Sequence, residues 1–227
     1  MKTIYISLLL AIIFNMACSN EQKNNSSEKN EVKAVTQTTL KTDNKKVIVF
    51  FGNSLTAGYG LEKEQAYPNI IQKIIDESEL NYSCINAGLS GETTAGGLNR
   101  VDWVIGQQKV DIFVLALGGN DALRGIDPRS TEDNLIKTID KVKSKYPDCK
   151  ILLAGILPPP NMGNDYFKAF EGLYPRVAKA KDVKLMPFIL KDVAGIPALN
   201  QEDGIHPNVE GAKILAKNIY EELQPLL

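Results

Sequence analysis

The hydrophobic pattern of the chain alternates between short apolar runs and longer amphipathic stretches. Residues 47–51 are five consecutive apolar residues, three of them β-branched, and Gly52 follows them directly. An uninterrupted run of this kind predicts a strand that is buried on both faces and ends in a sharp turn. Four further apolar runs predict strands over residues 82–86, 111–117, 150–157 and 183–188.

Between these runs, apolar residues recur at the spacing of amphipathic helices. Pro68 suits the first turn of one helix, whereas Pro175 is expected to kink or divide another. A third helix begins at Ser130, with Asp133 at the capping-box position. The helices with Pro68 and Pro175 are predicted over residues 65–79 and 165–181, and two more helices are predicted over residues 94–107 and 208–223. This alternation predicts an α/β fold, a three-layer α/β/α sandwich around a five-stranded, mainly parallel sheet.

The amino terminus has the layout of a secretory signal, with a basic start, a short apolar run and Ala17 before Cys18. A cysteine directly after a small residue resembles a bacterial lipoprotein signal. That resemblance implies that Cys18 becomes the lipidated first residue of an exported protein, anchored in a membrane and facing the periplasm or the cell surface. A soluble periplasmic or secreted protein is the alternative.

The composition separates the chain into three predicted regions. Residues 1–17 form the signal peptide, and residues 18–46 are a polar tether with too little apolar surface to fold. Residues 47–227 form one domain. At that size, about 70% of the unfolded surface can be buried without a metal or a disulfide.

Charge and cysteine content exclude several classes of function. The 26 basic and 27 acidic residues nearly balance, and no basic stripe is visible, which argues against a dedicated nucleic-acid binder. Three cysteines do not make a disulfide framework, and Cys84 and Cys149 are expected to be separate buried thiols. The spaced histidine pairs or cysteine clusters of a zinc site do not occur, so we predict no metal and no other cofactor.

The candidate chemistry begins at Ser54, the first hydroxyl after the first predicted strand. In open α/β sheets, reacting groups gather beyond the carboxyl ends of the strands, so Ser54 is a candidate nucleophile, although turn serines also bond their own backbone. The only histidine, His206, lies ahead of the last helix, three residues after Asp203. Acyl transfer by serine needs such a base and such a carboxylate, whereas a structural histidine near a helix N-terminus is the alternative.

An ester hydrolase also needs donors that stabilise an oxyanion. Gly88 and Asn120 follow neighbouring predicted strands, and they are candidates through a backbone N–H and a side-chain amide. Each residue could instead serve only as a turn former. Together with Ser54 and His206, they fall on four separate strand-end loops.

These residues closely resemble the four sequence blocks of the SGNH or GDSL hydrolase family. The flanking residues are similar to the bacterial branch of multifunctional arylesterases, acyl-CoA thioesterases I and lysophospholipases. The matching blocks are Gly52–Leu55, Gly88, Gly119–Asp121 and Asp203–Pro207.

The resemblance implies a catalytic Ser54, a general base at His206 that then acts as an acid, and Asp203 as its orienting carboxylate. It also implies an oxyanion hole formed by the N–H groups of Ser54 and Gly88 and by the amide of Asn120. Asn53 departs from the family pattern, which commonly has aspartate there. An amide keeps one acceptor oxygen but carries no charge, so we expect retuned or reduced activity at most.

The implied partner is a small-molecule acyl ester or a lysophospholipid. Residues 122–128 and 157–166, which follow the third and fourth predicted strands, are expected to form the pocket walls. Arg124 is a candidate partner for an anionic leaving group, or else a solvated loop charge. Candidates for an acyl groove, or merely for packing, are Leu123, Ile126, Leu157 and Met162.

Alternative functions remain open at the level of sequence. A carbohydrate O-deacetylase uses the same chemistry with a shallower, more polar pocket. A flavodoxin-like binding lipoprotein would share the layers of the fold, and a hydrolase with a decayed site would share its residues. The α/β-hydrolase fold is disfavoured, because the sequence around Ser54 lacks the second glycine of its nucleophile elbow.

Overall fold

A computed structural model describes residues 45–227 of the chain. The predicted signal peptide, Cys18 and nearly all of the predicted tether lie outside the described residues. Five parallel strands form one sheet in the order β2-β1-β3-β4-β5. The strands are β1 (Lys46–Gly52), β2 (Tyr82–Gly88), β3 (Ile112–Ala116), β4 (Lys150–Ala154) and β5 (Lys184–Met186).

Helices cover both faces of this sheet. They are α1 (Ser54–Ala57), α2 (Tyr67–Glu77), α3 (Thr94–Gly106), α4 (Gly119–Leu123), α5 (Pro128–Lys145), α6 (Asn164–Lys181) and α7 (Val209–Leu223). Helix α5 packs between α3 and α6, whereas α2 packs against α7, so the helices form two separate layers. This arrangement confirms the predicted α/β/α sandwich with its five-stranded parallel sheet.

The central strand β1 is the most buried part of the sheet. Ile48, Val49, Phe50 and Phe51 have no exposed surface, because β1 pairs with a strand on each side and carries helices on both faces. In the ladder, Gly52 is level with Gly88 of β2 and Ala116 of β3. The segments that follow these three strands therefore meet at one edge of the sheet, where the candidate site forms.

The limits of several elements differ from the sequence prediction. Helix α5 begins at Pro128 rather than Ser130, because the Asp127 side chain accepts a hydrogen bond from the Arg129 N–H (3.0 Å) and a proline suits the first helical position. Helix α6 continues through Pro175 and is not divided. Strand β2 extends to Gly88, where a loop was expected, and β3, β4 and β5 are shorter than predicted.

Two further observations concern the described residues. Cys84 and Cys149 are both free thiols, as predicted, but only Cys149 is buried and Cys84 is partly exposed; burial raises the pKa of each to about 12. Between residues 45 and 227, no helix is long and apolar enough to span a bilayer.

Candidate active site

Ser54 is the first residue of the short helix α1, which the sequence analysis did not predict. Asn53 caps this helix: its Oδ1 accepts a hydrogen bond from the Leu55 N–H (3.1 Å), and its side chain is buried. Gly52 lies so close to neighbouring atoms that a Cβ there would approach the carbonyl oxygen of Ala116 to 2.8 Å. A residue with a side chain would therefore clash at the end of β1, and the Asn53 cap places Ser54 directly after that end.

His206 and Asp203 lie beside Ser54. The Oγ of Ser54 is 2.8 Å from Nε2 of His206, and Nδ1 of the same ring is 2.6 Å from Oδ2 of Asp203. The other oxygen of Asp203, Oδ1, accepts hydrogen bonds from the backbone N–H groups of Ile205 (2.9 Å) and His206 (3.0 Å). The structure thus joins the three residues into one line of hydrogen bonds.

Two residues that the sequence analysis missed hold His206 in place. The ring of Tyr59 lies against the imidazole, with 4.7 Å between ring centroids. The side-chain amide of Gln201 donates to the carbonyl oxygens of Tyr59 (2.7 Å) and Pro207 (3.0 Å). Gln201 therefore ties the histidine loop to the segment after α1. No sequence pattern around Tyr59 or Gln201 predicts these contacts.

Of Gly88 and Asn120, only Asn120 is among the residues that line the cavity beside Ser54, and each residue already donates one hydrogen bond within the protein. Asn120 is in the short helix α4, and its Nδ2 donates to the backbone carbonyl of Glu92 (3.0 Å). Because a side-chain amide carries two N–H groups, the second donor of Asn120 stays available. The Gly88 N–H donates to Oδ1 of Asn86 (3.0 Å). Its use by a substrate oxygen would require Asn86 to share this donor or to release it.

A buried carboxylate, Asp121, joins the asparagine segment to helix α3. Its Oδ1 accepts from the Thr94 hydroxyl (2.6 Å), and its Oδ2 accepts from the Thr94 N–H (2.9 Å). Asp121 is only 1% exposed, so these bonds replace its lost hydration. Asp121 belongs to one of the blocks that resemble the SGNH family, but the sequence predicts no structural role for it. The bonds fix the helix that carries Asn120.

A cavity of about 540 Å³ opens beside Ser54, and its lining is mainly apolar. The loops predicted to form its walls contribute Leu123 and residues 157–160, whereas Ile126 and Met162 are not among the lining residues. The segment after β5, which the sequence analysis did not implicate, contributes a second apolar wall. That wall consists of Phe188, Leu190, Ala194 and Gly195.

Comparison with known proteins identifies this arrangement. The sequence profile of the GDSL-like Lipase/Acylhydrolase family matches residues 50–214. The chain belongs to this family. It is 37% identical over 180 residues to Esterase TesA of Pseudomonas aeruginosa, covering 79% of this chain and 89% of that protein. It is 36% identical to thioesterase 1/protease 1/lysophospholipase L1 of Escherichia coli, covering 79% and 84% of the two chains.

The solved structures agree with the family assignment. The crystal structure of TesA superposes with a TM-score of 0.77 at 36% identity, over 80% of this chain and all of that one. This member of the GDSL family is therefore a serine ester hydrolase with the SGNH hydrolase fold. It carries Asn53 at the position of the aspartate in the family's four-letter motif.

The electrostatics of this GDSL-family site centre on Asp203. Hydrogen bonds from the backbone and the ring of His206, together with the Ile205 N–H, lower the pKa of this carboxyl to about 2. The side chain is thus a carboxylate at neutral pH. A carboxylate in contact with Nδ1 favours the histidine tautomer whose proton lies on Nδ1. That tautomer leaves Nε2 as an acceptor for the Ser54 hydroxyl.

Proposed function

We propose that this chain cleaves acyl esters or thioesters through an acyl intermediate on Ser54. The observation that carries the proposal is the continuous line from Ser54 Oγ to His206 Nε2 (2.8 Å) and from His206 Nδ1 to Asp203 (2.6 Å). His206 takes the proton of Ser54 as Oγ attacks the carbonyl carbon, and then gives it to the leaving group. Asp203 stabilises the imidazolium that forms.

The second half of the reaction repeats these proton movements with water as the nucleophile. His206 takes a proton from water, the new hydroxyl attacks the acyl carbon, and Ser54 leaves with the proton returned by His206. In both halves, negative charge develops on the carbonyl oxygen. The proposed donors to that oxygen are the Ser54 N–H, which begins a helix and lacks an intrahelical acceptor, the Gly88 N–H and the free N–H of Asn120.

The proposed substrate has an extended acyl chain. The cavity beside Ser54 has apolar walls on two sides, from residues 156–160 and from Phe188 and Leu190. Burial of each methylene in such a groove contributes about 0.8 kcal/mol of binding. A carbohydrate O-deacetylase would require a shallower and more polar pocket, so the apolar walls favour an acyl esterase, thioesterase or arylesterase.

A lysophospholipid is the natural ester that we propose. The exposed apolar side chains of Tyr59, Leu123 and Ile205 surround the mouth of the cavity, which suits a substrate presented by a lipid surface. Arg124 follows the lining residue Leu123, and its Nη2 donates to the carbonyl of Gly91, which also lines the cavity (3.0 Å). Its remaining donors can meet a phosphate. Arg124→Gln should then lower turnover of a lysophospholipid more than that of an uncharged aryl ester.

The proposed location is the outside of the cytoplasmic membrane, with Cys18 as a lipid anchor and residues 18–46 as a tether. The support is the signal-like order of basic, apolar and small residues before Cys18. Mass spectrometry of the chain from its source membrane tests this assignment. A diacylated or triacylated Cys18 supports the anchor, whereas an unmodified amino terminus after cleavage supports ordinary secretion.

The decisive test is hydrolysis of a p-nitrophenyl ester series, from acetate to decanoate, by the purified full chain. Ser54→Ala and His206→Ala should each abolish turnover without unfolding the protein. Ser130 is an exposed serine on α5, and Ser130→Ala should leave turnover intact. Activity that persists in Ser54→Ala would refute the acyl-serine mechanism. A preference for acetate over longer chains would favour the deacetylase alternative.

A further inference from the structure

A buried ion pair lies next to the proposed oxyanion donors. Nε of Arg100 donates to Oε1 of Glu92 (2.7 Å), and Nη2 donates to Oε2 (2.6 Å). The side chain of Glu92 is 3% exposed and that of Arg100 is 22% exposed. A pair desolvated to this extent adds little net stability compared with apolar residues of similar size. Stability alone therefore does not explain why the fold contains it.

The two residues of the pair are hydrogen-bonded to the segments that carry both proposed donors. Nη2 of Arg100 also donates to the carbonyl of Ala87 (2.9 Å), the residue that precedes Gly88. The backbone carbonyl of Glu92 accepts the hydrogen bond from Asn120 Nδ2 (3.0 Å). One ion pair thus connects the peptide that leads into Gly88 with the peptide that orients Asn120.

The position of Arg100 is itself fixed by its surroundings. Its guanidinium lies over the ring of Phe51, 4.4 Å from the ring centroid, and Phe51 is fully buried in β1. A planar group held on an aromatic face with three hydrogen bonds has little freedom to rotate. Arg100 therefore gives the segment from Ala87 to Glu92 a rigid support on the central strand.

We propose that Arg100 and Glu92 are positioning residues that hold the two oxyanion donors, the Gly88 N–H and the Asn120 amide, in one geometry. The inference rests on the proposed acyl-serine function. The Glu92 carbonyl accepts one N–H of Asn120, a residue that lines the cavity, and leaves the other N–H available. Arg100 bonds the side chain of Glu92 and the carbonyl of Ala87, so a single guanidinium contributes to the spacing of both donors.

The test compares kcat and KM of the full chain on a p-nitrophenyl ester for Arg100→Lys and Glu92→Gln. Lysine keeps the charge but cannot bond Glu92 through two nitrogens and Ala87 at the same time. Misplacement of the oxyanion donors should lower kcat about 10- to 100-fold with little change in KM. Unchanged kcat in both folded variants would overturn the proposal.

A matched control is the ion pair of Arg176 and Glu132, which joins α6 to α5 outside the cavity lining. Nη2 of Arg176 lies 2.6 Å from Glu132 Oε2, and Nε donates to the same carboxylate (3.1 Å). Arg176→Lys should leave kcat unaltered even where it lowers the melting temperature. An equal loss of kcat in Arg100→Lys and Arg176→Lys would assign the effect to general destabilisation and overturn the proposal.

A double-mutant cycle with Asn120→Ala separates positioning from other effects. If Arg100 acts through the oxyanion donors, Arg100→Lys should lower kcat less in the Asn120→Ala chain than in the parent. Equal reductions in both chains would contradict the proposal. If single variants fail to fold, Glu92→Leu combined with Arg100→Met fills the same space without unpaired charge, and it should fold with reduced kcat.

The outcomes also distinguish this inference from the proposed function. Activity that survives in Ser54→Ala refutes the function itself. Activity that is lost in Ser54→Ala but complete in every Arg100 and Glu92 variant refutes only the positioning role.

Discussion

Gly88 lies directly against the backbone of Ala57. A Cβ placed on Gly88 would approach the Cα of Ala57 to 2.8 Å and the carbonyl carbon of Thr56 to 2.7 Å. This contact joins the end of β2 to α1, the helix that begins with Ser54. The missing side chain at Gly88 therefore allows the two backbones to pack closely.

Gly88→Ala should consequently damage both stability and activity. The added methyl meets backbone atoms that cannot rotate away, so we expect a loss of about 1–3 kcal/mol in the free energy of unfolding. Displacement of α1 should also lower kcat. Urea unfolding and ester hydrolysis measure the two effects. Gly106→Ala is the control, because a Cβ there meets only the Lys145 amine at 3.7 Å. Equal stability of the two variants would contradict the packing argument.

Asn120→Ala should lower kcat by about 10²–10³ if the amide donates to the oxyanion. KM should change little, because the bond strengthens only as charge develops on the carbonyl oxygen. The control is Asn218→Ala, which also removes a side-chain amide bonded to a backbone carbonyl, that of Lys191 (2.9 Å). Steady-state kinetics on a p-nitrophenyl ester decide the matter, and an unchanged kcat would remove Asn120 from the site.

Asp203→Asn should be more harmful than its small change in shape suggests. Oδ1 of Asp203 accepts two backbone N–H bonds, so an amide oxygen would remain there and direct its NH₂ group at Nδ1 of His206. Nδ1 would then have to accept, which moves the ring proton to Nε2 and blocks the approach to Ser54. We expect a fall of about 10⁴ in kcat. Glu202→Gln, at the neighbouring exposed carboxylate, should retain activity.

The low pKa of Asp203 also predicts a dependence of stability on pH. Its folded pKa of about 2 lies below the ordinary value of 3.8, so its contribution to stability is present above about pH 4 and is lost as the pH falls toward 2. Asp203→Asn should therefore flatten the fall in stability over that interval. Urea unfolding from pH 2 to 6 measures this, with Asp133→Asn, an exposed carboxyl on α5, as the control. Equally steep curves for Asp203→Asn and the parent would contradict it.

The fold was predictable from sequence because apolar runs and helical spacing report burial directly. The run at residues 47–51 predicted the most buried strand, and the alternation of elements predicted the parallel sheet. Ser54, Asp203 and His206 were identifiable since the chain has one histidine, and an acid stands three residues before it. These residue types made the three side chains candidates, and the resemblance to the SGNH family implied the role of each.

The remaining features depend on contacts between distant segments. Arg100 bonds Glu92 and Ala87, and Gln201 bonds the carbonyl of Tyr59, but none of these pairs leaves a periodic pattern in the sequence. The second cavity wall begins at Phe188, the last residue of the fifth predicted strand. Because β5 itself has only three residues, the apolar run does not show where the strand ends and the wall begins. Hydrogen bonds of this kind therefore cannot be predicted from the sequence and are visible only in the folded structure.

The two apolar walls of the cavity lead to a prediction about acyl-chain length. Leu190 and Leu157 line the cavity from different segments, so an acyl chain between them would be enclosed by both. Leu157→Gln keeps a similar volume but places an amide against the acyl chain. Desolvation of that amide without a partner costs about 1–3 kcal/mol. The kcat/KM ratio of decanoate to acetate esters should therefore fall about 10- to 100-fold, while acetate turnover changes little.

A change at an apolar side chain elsewhere on the surface provides the control for this prediction. Trp103 on α3 is 67% exposed and does not line the cavity. Trp103→Gln should leave the ratio of decanoate to acetate unaltered. If Leu157→Gln also leaves it unaltered, or lowers acetate and decanoate equally, the acyl chain lies elsewhere. Leu190→Gln then distinguishes the two walls, because a chain held only after β5 would respond to that change alone.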